Sequence, residues 1–234
     1  MQHTTRRAAH GARLIAALAA TLALAAPAAQ AADPPDSGFL PDYSRLQPVK
    51  TKLGKDAERW LSPDLTSEKY HAVIIEPVVF FPKPEPTEQV PQQTLDDITG
   101  YLTASVRDVV FDDVPQATEP GPGIVRLQVA VTAVSVGSAG MKPYEFIPAA
   151  LVLSTAMRAA GQRSQDVTLS VEALLTDSVT GEPLGMVVRH GTGEQLKNAK
   201  TPLTLEQLKK RIDQWAEAAS ELVDQRLRAN AAVN

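Results

Sequence analysis

Ile124-Val125-Arg126-Leu127-Gln128-Val129-Ala130-Val131-Thr132-Ala133-Val134-Ser135-Val136 is the stretch on which the fold turns. Val125, Leu127, Val129, Val131 and Ala133 fall on one side of an extended chain, and Arg126, Gln128 and Thr132 on the other. A period of two marks a strand with one buried face. Residues 166–176 repeat it, with Val167, Leu169, Val171 and Ala173 alternating. Asp177-Ser178-Val179-Thr180-Gly181-Glu182-Pro183 reads as a turn, and residues 184–189 as the returning strand. A hairpin with a polar loop is therefore expected.

Reading towards the N-terminus, Pro120-Gly121-Pro122-Gly123 is a hard turn rather than a phosphate loop, because it precedes a strand and no Lys follows. Residues 94–110 read as a helix. Thr94 with Asp97 resembles a capping box, and Leu95, Ile98, Leu102, Val106 and Val109 recur at spacings of three and four. A first strand is expected over residues 71–81. Pro77 interrupts it and marks a bulge or an edge, since proline cannot donate to a central ladder.

Reading towards the C-terminus, Thr201-Pro202 opens a last helix with Leu205, Leu208, Ile212, Trp215, Ala219 and Leu222 on one face. The order predicts an α+β fold: about four strands in a mostly antiparallel sheet, with two long helices packed on one face. Residues 144–157 fit neither period. Between Lys142 and Arg158 the only charge is Glu145, so this is either a buried short helix or an exposed apolar flap.

Residues 1–31 read as a secretory signal peptide. Arg6, Arg7 and Arg13 precede a short Leu/Ile/Ala run, Pro27 breaks it, and Ala29-Gln30-Ala31 supplies the small residues for cleavage after Ala31, or after Ala32. The run is shorter than the ~20 residues that span a bilayer, and no later run reaches that length. Sec-type export to the periplasm, or secretion, is expected. Residues 32–66 carry Pro34, Pro35, Pro41, Pro48 and Pro63 and read as a tail or linker. Small apolar islands at Phe39-Leu40 and Trp60-Leu61 can pin it to a single domain over residues 67–234.

The chain has 23 Lys+Arg and 27 Asp+Glu. Three of the Arg and none of the acids fall within residues 1–31, leaving 20 against 27, a net of about −7. That argues against nucleic acid or an anionic membrane surface as partner. Cysteine is absent, which removes disulfides, thiol nucleophiles and thiolate metal sites. Only His71 and His190 lie beyond residue 31, too few for a His-based metal site.

Enzymatic signatures are weak. No G-x-S-x-G elbow occurs. Asp96-Asp97 diverge on a helix and suit its N-terminus, Asp112-Asp113 reads as loop, and Asp108 with that pair lacks the spacing of an EF-hand. Neither a catalytic residue nor a cofactor or metal is expected.

Three stretches together resemble a known family: Ser37-Gly38-Phe39-Leu40-Pro41-Asp42-Tyr43-Ser44-Arg45-Leu46, Gly121 through Thr132, and Val171 through Leu184. They are similar to the uncharacterised bacterial family called domain of unknown function thirty-three thirteen, whose members are often labelled lipoproteins. The resemblance covers nearly the whole chain after residue 31 and implies an envelope location and a fold. A lipidated member carries a Cys at its cleavage point. Here the region reads Ala31-Ala32-Asp33-Pro34, so no lipid anchor is expected. The element order is also similar to small envelope modules such as the amino-terminal domain of the Tol translocation protein, the curli secretion lipoprotein and the activators of peptidoglycan synthases.

A periplasmic, non-enzymatic binding or assembly module is therefore expected, its partners envelope proteins or further copies of itself. The candidate surface is Phe146, Ile147, Leu151 and Leu153, with the Thr180-Gly181-Glu182 loop. Two alternatives are a secreted hydrolase with a site near His190, and a periplasmic carrier of a small apolar ligand held in a cavity between sheet and helices.

Overall fold

The computed structural model describes residues 36–51, 54–111, 114–138 and 164–227. In chain order they form β1 (Gln47–Thr51), β2 (Gly54–Leu61), β3 (Ala72–Ile75), β4 (Val79–Phe80), α1 (Gln92–Phe111), β5 (Ile124–Ser138), β6 (Gln165–Asp177), β7 (Pro183–Thr192) and α2 (Glu206–Arg226). The strands make one mixed sheet in the order β1-β2-β7-β6-β5-β3, with β4 also paired to β5. The class is α+β, as the patterning implies. The described residues belong to one compact unit.

The expected four strands are corrected to seven. The strand over residues 71–81 is split into β3 and β4, which run parallel to successive parts of β5 on its outer edge. Pro77 lies in the gap, where no ladder hydrogen bond is lost. The other two strands come from the segment read as a tail. β1 and β2 form an antiparallel pair, and β2 continues onto β7 through Ala57↔Arg189, Arg59↔Val187 and Leu61↔Gly185. The islands at Phe39-Leu40 and Trp60-Leu61 do pin it, and the polypeptide between them adds an edge to the sheet. Pro48 is tolerated because β1 is the outermost strand.

β5 departs from strict alternation at one point. Its register against β6 shifts between Val131 and Ala133. The extra residue reverses the phase, so Val134 and Val136 are buried with Val131 while Ala133 is only half-buried. The strand thereby keeps an apolar residue on the core side from Val125 to Val136.

Paired residues across a ladder point to the same face. Val125, Leu127, Val129 and Val131 of β5, Val171, Ala173 and Leu175 of β6, Val187 and Arg189 of β7, and Arg59 and Leu61 of β2 therefore share the face on which both helices lie. Leu95, Ile98 and Leu102 of α1 and Leu208, Ile212 and Trp215 of α2 are buried against it. The Tyr101 hydroxyl donates to Asp213 Oδ1 at 2.6 Å, and Val110 and Leu227 share a second apolar cluster, so the helices run side by side in the same sense. Thr94 does not cap α1. The helix begins at Gln92, and the buried Thr94 hydroxyl instead donates to the Leu203 carbonyl at 2.8 Å, joining the two helix entrances.

The opposite face is covered by the N-terminal segment. Leu40 and Leu46 pack on Met186 and Val188, and the Arg45 guanidinium lies 3.4 Å over the Trp60 ring.

Candidate functional site

Each helix carries one continuous apolar stripe, but beyond its first half several of its residues are only part-buried. Leu95, Ile98 and Leu102 are buried, whereas Val106 and Val109 stay half-exposed. The same change occurs in α2 after Trp215, where Ala216, Ala219, Leu222 and Val223 remain half-exposed. The cause is side-chain size. Ser105 on α1, Ala216 and Ala219 on α2 and Ala173 on β6 are small residues around one space, and close packing fails where their volumes do not add up. The result is a half-enclosed cleft of about 170 Å³ between the sheet and the two helices. Its wall is almost wholly carbon, from Leu61, Val125, Leu127, Val187, Ile212 and Trp215 among others.

Two arginines stand among the residues that line the cleft. Arg189 of β7 and Arg226 in the last turn of α2 both line it. Arg59 pairs with Val187, a lining residue, and so projects to the same face one strand further out. Burial, and then the positive charge of Arg226, hold the Arg59 guanidinium below its ordinary value. No acidic side chain among the described residues pairs with Arg59 or Arg226.

The other sequence-derived candidates fall elsewhere. Phe146, Ile147, Leu151 and Leu153 lie outside the described residues, as do Ala31 and Ala32. Thr180, Gly181 and Glu182 form the exposed β6–β7 turn and do not line the cleft. That turn is held by Asp177, whose Oδ1 accepts from the backbone N–H of Val179 at 2.9 Å and of Thr180 at 2.8 Å. These backbone bonds, together with the Tyr70 hydroxyl at 3.1 Å, keep the Asp177 carboxyl below the usual range.

His190 has a partner that sequence reasoning missed. Register places it opposite Ser170 on β6, with Ser170 Oγ 2.8 Å from His190 Nδ1. A serine and a histidine at this distance look like half of a hydrolytic triad. The remaining parts are not beside it. No carboxylate among the described residues holds the ring, and burial alone lowers its pKa. β6 is hydrogen-bonded on both edges, so the backbone donors around Ser170 are committed to β5 and β7 rather than free to hold an oxyanion.

The carboxylate pairs behave likewise. Asp96 and Asp97 accept separately from Gln92 and Gln93, at 2.8 and 2.7 Å. No group of three metal-ligating side chains occurs among the described residues. His71 packs on Gly123, whose φ of +75° and lack of room for a Cβ explain the glycine.

Glu172 is the one buried acid among the described residues. It lies on the face opposite the helices, where it accepts from the Tyr43 hydroxyl at 2.6 Å. Burial pushes its carboxyl above the ordinary range, and hydrogen bonds from Tyr43, Ser37 and Thr132 pull it part of the way back.

Comparison with known proteins adds a family. The family model described as protein of unknown function (DUF3313) matches residues 35–219. An uncharacterised lipoprotein of Escherichia coli K12, YdcL, is 35% identical over 207 residues, covering 88% of this chain and 93% of that protein. Among solved structures, the PelC dodecamer from Paraburkholderia phytofirmans overlays 74% of this chain and 98% of its own, at a TM-score of 0.35 and 9% identity. Protein XCC0632 from Xanthomonas campestris overlays 70% of this chain and 93% of its own, at a TM-score of 0.36 and 13% identity.

Proposed function

This chain belongs to the DUF3313 family of proteins of unknown function, and from that premise we propose an exported envelope protein that binds a small apolar ligand between its sheet and its helices. The lipoprotein relative supports the envelope. The observation that carries the binding reading is the half-enclosed, carbon-walled cleft of about 170 Å³. A cavity of ~150 Å³ with a similar wall takes up a body the size of benzene. Filling this space needs only slightly larger side chains than Ser105, Ala173, Ala216 and Ala219, and the chain carries small ones at all four places.

Binding is preferred over turnover on chemical grounds. The Ser170–His190 pair sits within a paired ladder and, among the described residues, has neither an orienting carboxylate nor free donors beside it, which supports a structural role for both residues.

Trp215 lines the cleft and serves as the reporter. Titration with N-phenyl-1-naphthylamine, a neutral apolar probe, should give saturable binding and energy transfer from Trp215. An Ala216→Leu/Ala219→Leu variant, thermally as stable as the parent or more so, should lose it. Unsaturable binding, or binding indifferent to the two leucines, would remove the reading.

A further inference from the structure

We infer that the ligand is a single-chain amphiphile with an anionic head, its alkyl chain in the cleft and its head against Arg59 and Arg226. This rests on the ligand-cleft reading above and deepens it.

A pocket for a wholly apolar body needs no charge at its wall, since taking a guanidinium out of water is costly. Here two of the residues along the wall, Arg189 and Arg226, are nonetheless arginines. Strand register brings a third, Arg59, to the same side beside Val187. Arg226 is exposed and also lines the cleft, so its charge lies where the cleft meets solvent. Arg59 and Arg226 repel one another, and no acidic side chain among the described residues answers either. An incoming anion would relieve that repulsion. The planar forks of arginine fit both carboxylate and phosphate oxygens.

The surroundings sharpen the point. Acids outnumber bases by about seven beyond residue 31, so the bulk of the surface disfavours anions, while this rim favours them. Room for about six carbons inside leaves a longer chain to reach the rim with its head, because the cleft is only half-enclosed. Carboxylate and phosphate heads share the chemistry that the rim recognises.

The test uses the full chain and four ten-carbon probes below their micellar concentrations: decanoate, decyl phosphate, 1-decanol and decyltrimethylammonium. Affinity is read by Trp215 fluorescence and by calorimetry. At least one anion should bind about tenfold or more tightly than decanol, and the cation more weakly than decanol. The stronger of the two anions identifies the head. Arg59→Gln/Arg226→Gln should bring the anion down to the decanol value and leave decanol unchanged, with the melting temperature kept. Equal binding of decanoate, decyl phosphate and decanol overturns this inference and leaves the cleft reading standing. Loss of all four overturns both. An anion preference that survives the double variant also overturns it, because the head then lies elsewhere.

Discussion

The Tyr43 hydroxyl donates to Glu172 Oε2 at 2.6 Å, and so ties the N-terminal segment to the middle of the sheet on the side away from the helices. Leu40 N–H donates back to the same hydroxyl at 3.1 Å, and Ser37 Oγ lies 2.8 Å from it, so one phenol oxygen organises the whole entry of the chain. Tyr43→Phe deprives the buried carboxylate of a donor and should cost about 1–3 kcal/mol. Urea unfolding checks this. In Glu172→Gln the same substitution should cost less, and equal costs in both backgrounds would show that the two residues are not coupled.

Stability should depend on pH through two groups of opposite sign. The raised pKa of Glu172 means that the folded state holds a proton the unfolded chain gives up at about 4.5. Its contribution is full below that pH and is lost as pH rises through the elevated folded value. His190 is lowered by burial, so its contribution is full above 6.5 and is lost as pH falls through the depressed folded value. Glu172→Gln should flatten the first slope and His190→Gln the second, in urea midpoints taken from pH 4 to 9. Curves parallel to the parent's would refute the assignment of each group.

Cavity size should control stability in both directions. Ala219→Leu fills space beside Trp215 and should stabilise by about 0.5–2 kcal/mol, read as a higher melting temperature. Leu102→Ala enlarges the same space from the α1 side and should cost about 2–5 kcal/mol.

Two glycines should respond oppositely to alanine. A Cβ on Gly193 would sit 2.4 Å from the Gln207 carbonyl oxygen, where β7 passes under the start of α2. Gly193→Ala forces that helix off the sheet and should cost about 1–3 kcal/mol. Gly100 lies inside α1 with open space around it, so Gly100→Ala should stabilise by about 0.5–1 kcal/mol. Thermal unfolding of the pair decides both, and a shift of the same sign in the two variants would contradict the packing described.

The elements with clean periods were legible before the fold: β5, β6, β7 and both helices follow from apolar spacing. β1 and β2 were not. Pro48 and the run Lys55-Asp56-Ala57-Glu58-Arg59 look solvent-bound, and only pairing with β7 shows that Ala57, Arg59 and Leu61 share an inner side. The cleft was legible only as an alternative. A stripe tells which side of a helix faces inward, but not whether small residues such as Ser105 and Ala216 on two helices will meet. The arginine rim depends on register between strands far apart in sequence, and so does the Ser170–His190 pair. Thr94 shows the converse: a capping pattern was present, and a tertiary acceptor, the Leu203 carbonyl, took the hydroxyl instead.

The pairing of Ala57 with Arg189 joins strands far apart in the sequence. β2 is synthesised before its inner neighbour, which is the last of the described strands. The β1–β2 ribbon therefore waits, with one margin unpaired, until β7 has been made, and the sheet closes as a late long-range event. A ribosome-bound nascent chain arrested before residue 183 should leave that ribbon open to proteolysis, and release of the complete polypeptide should protect it.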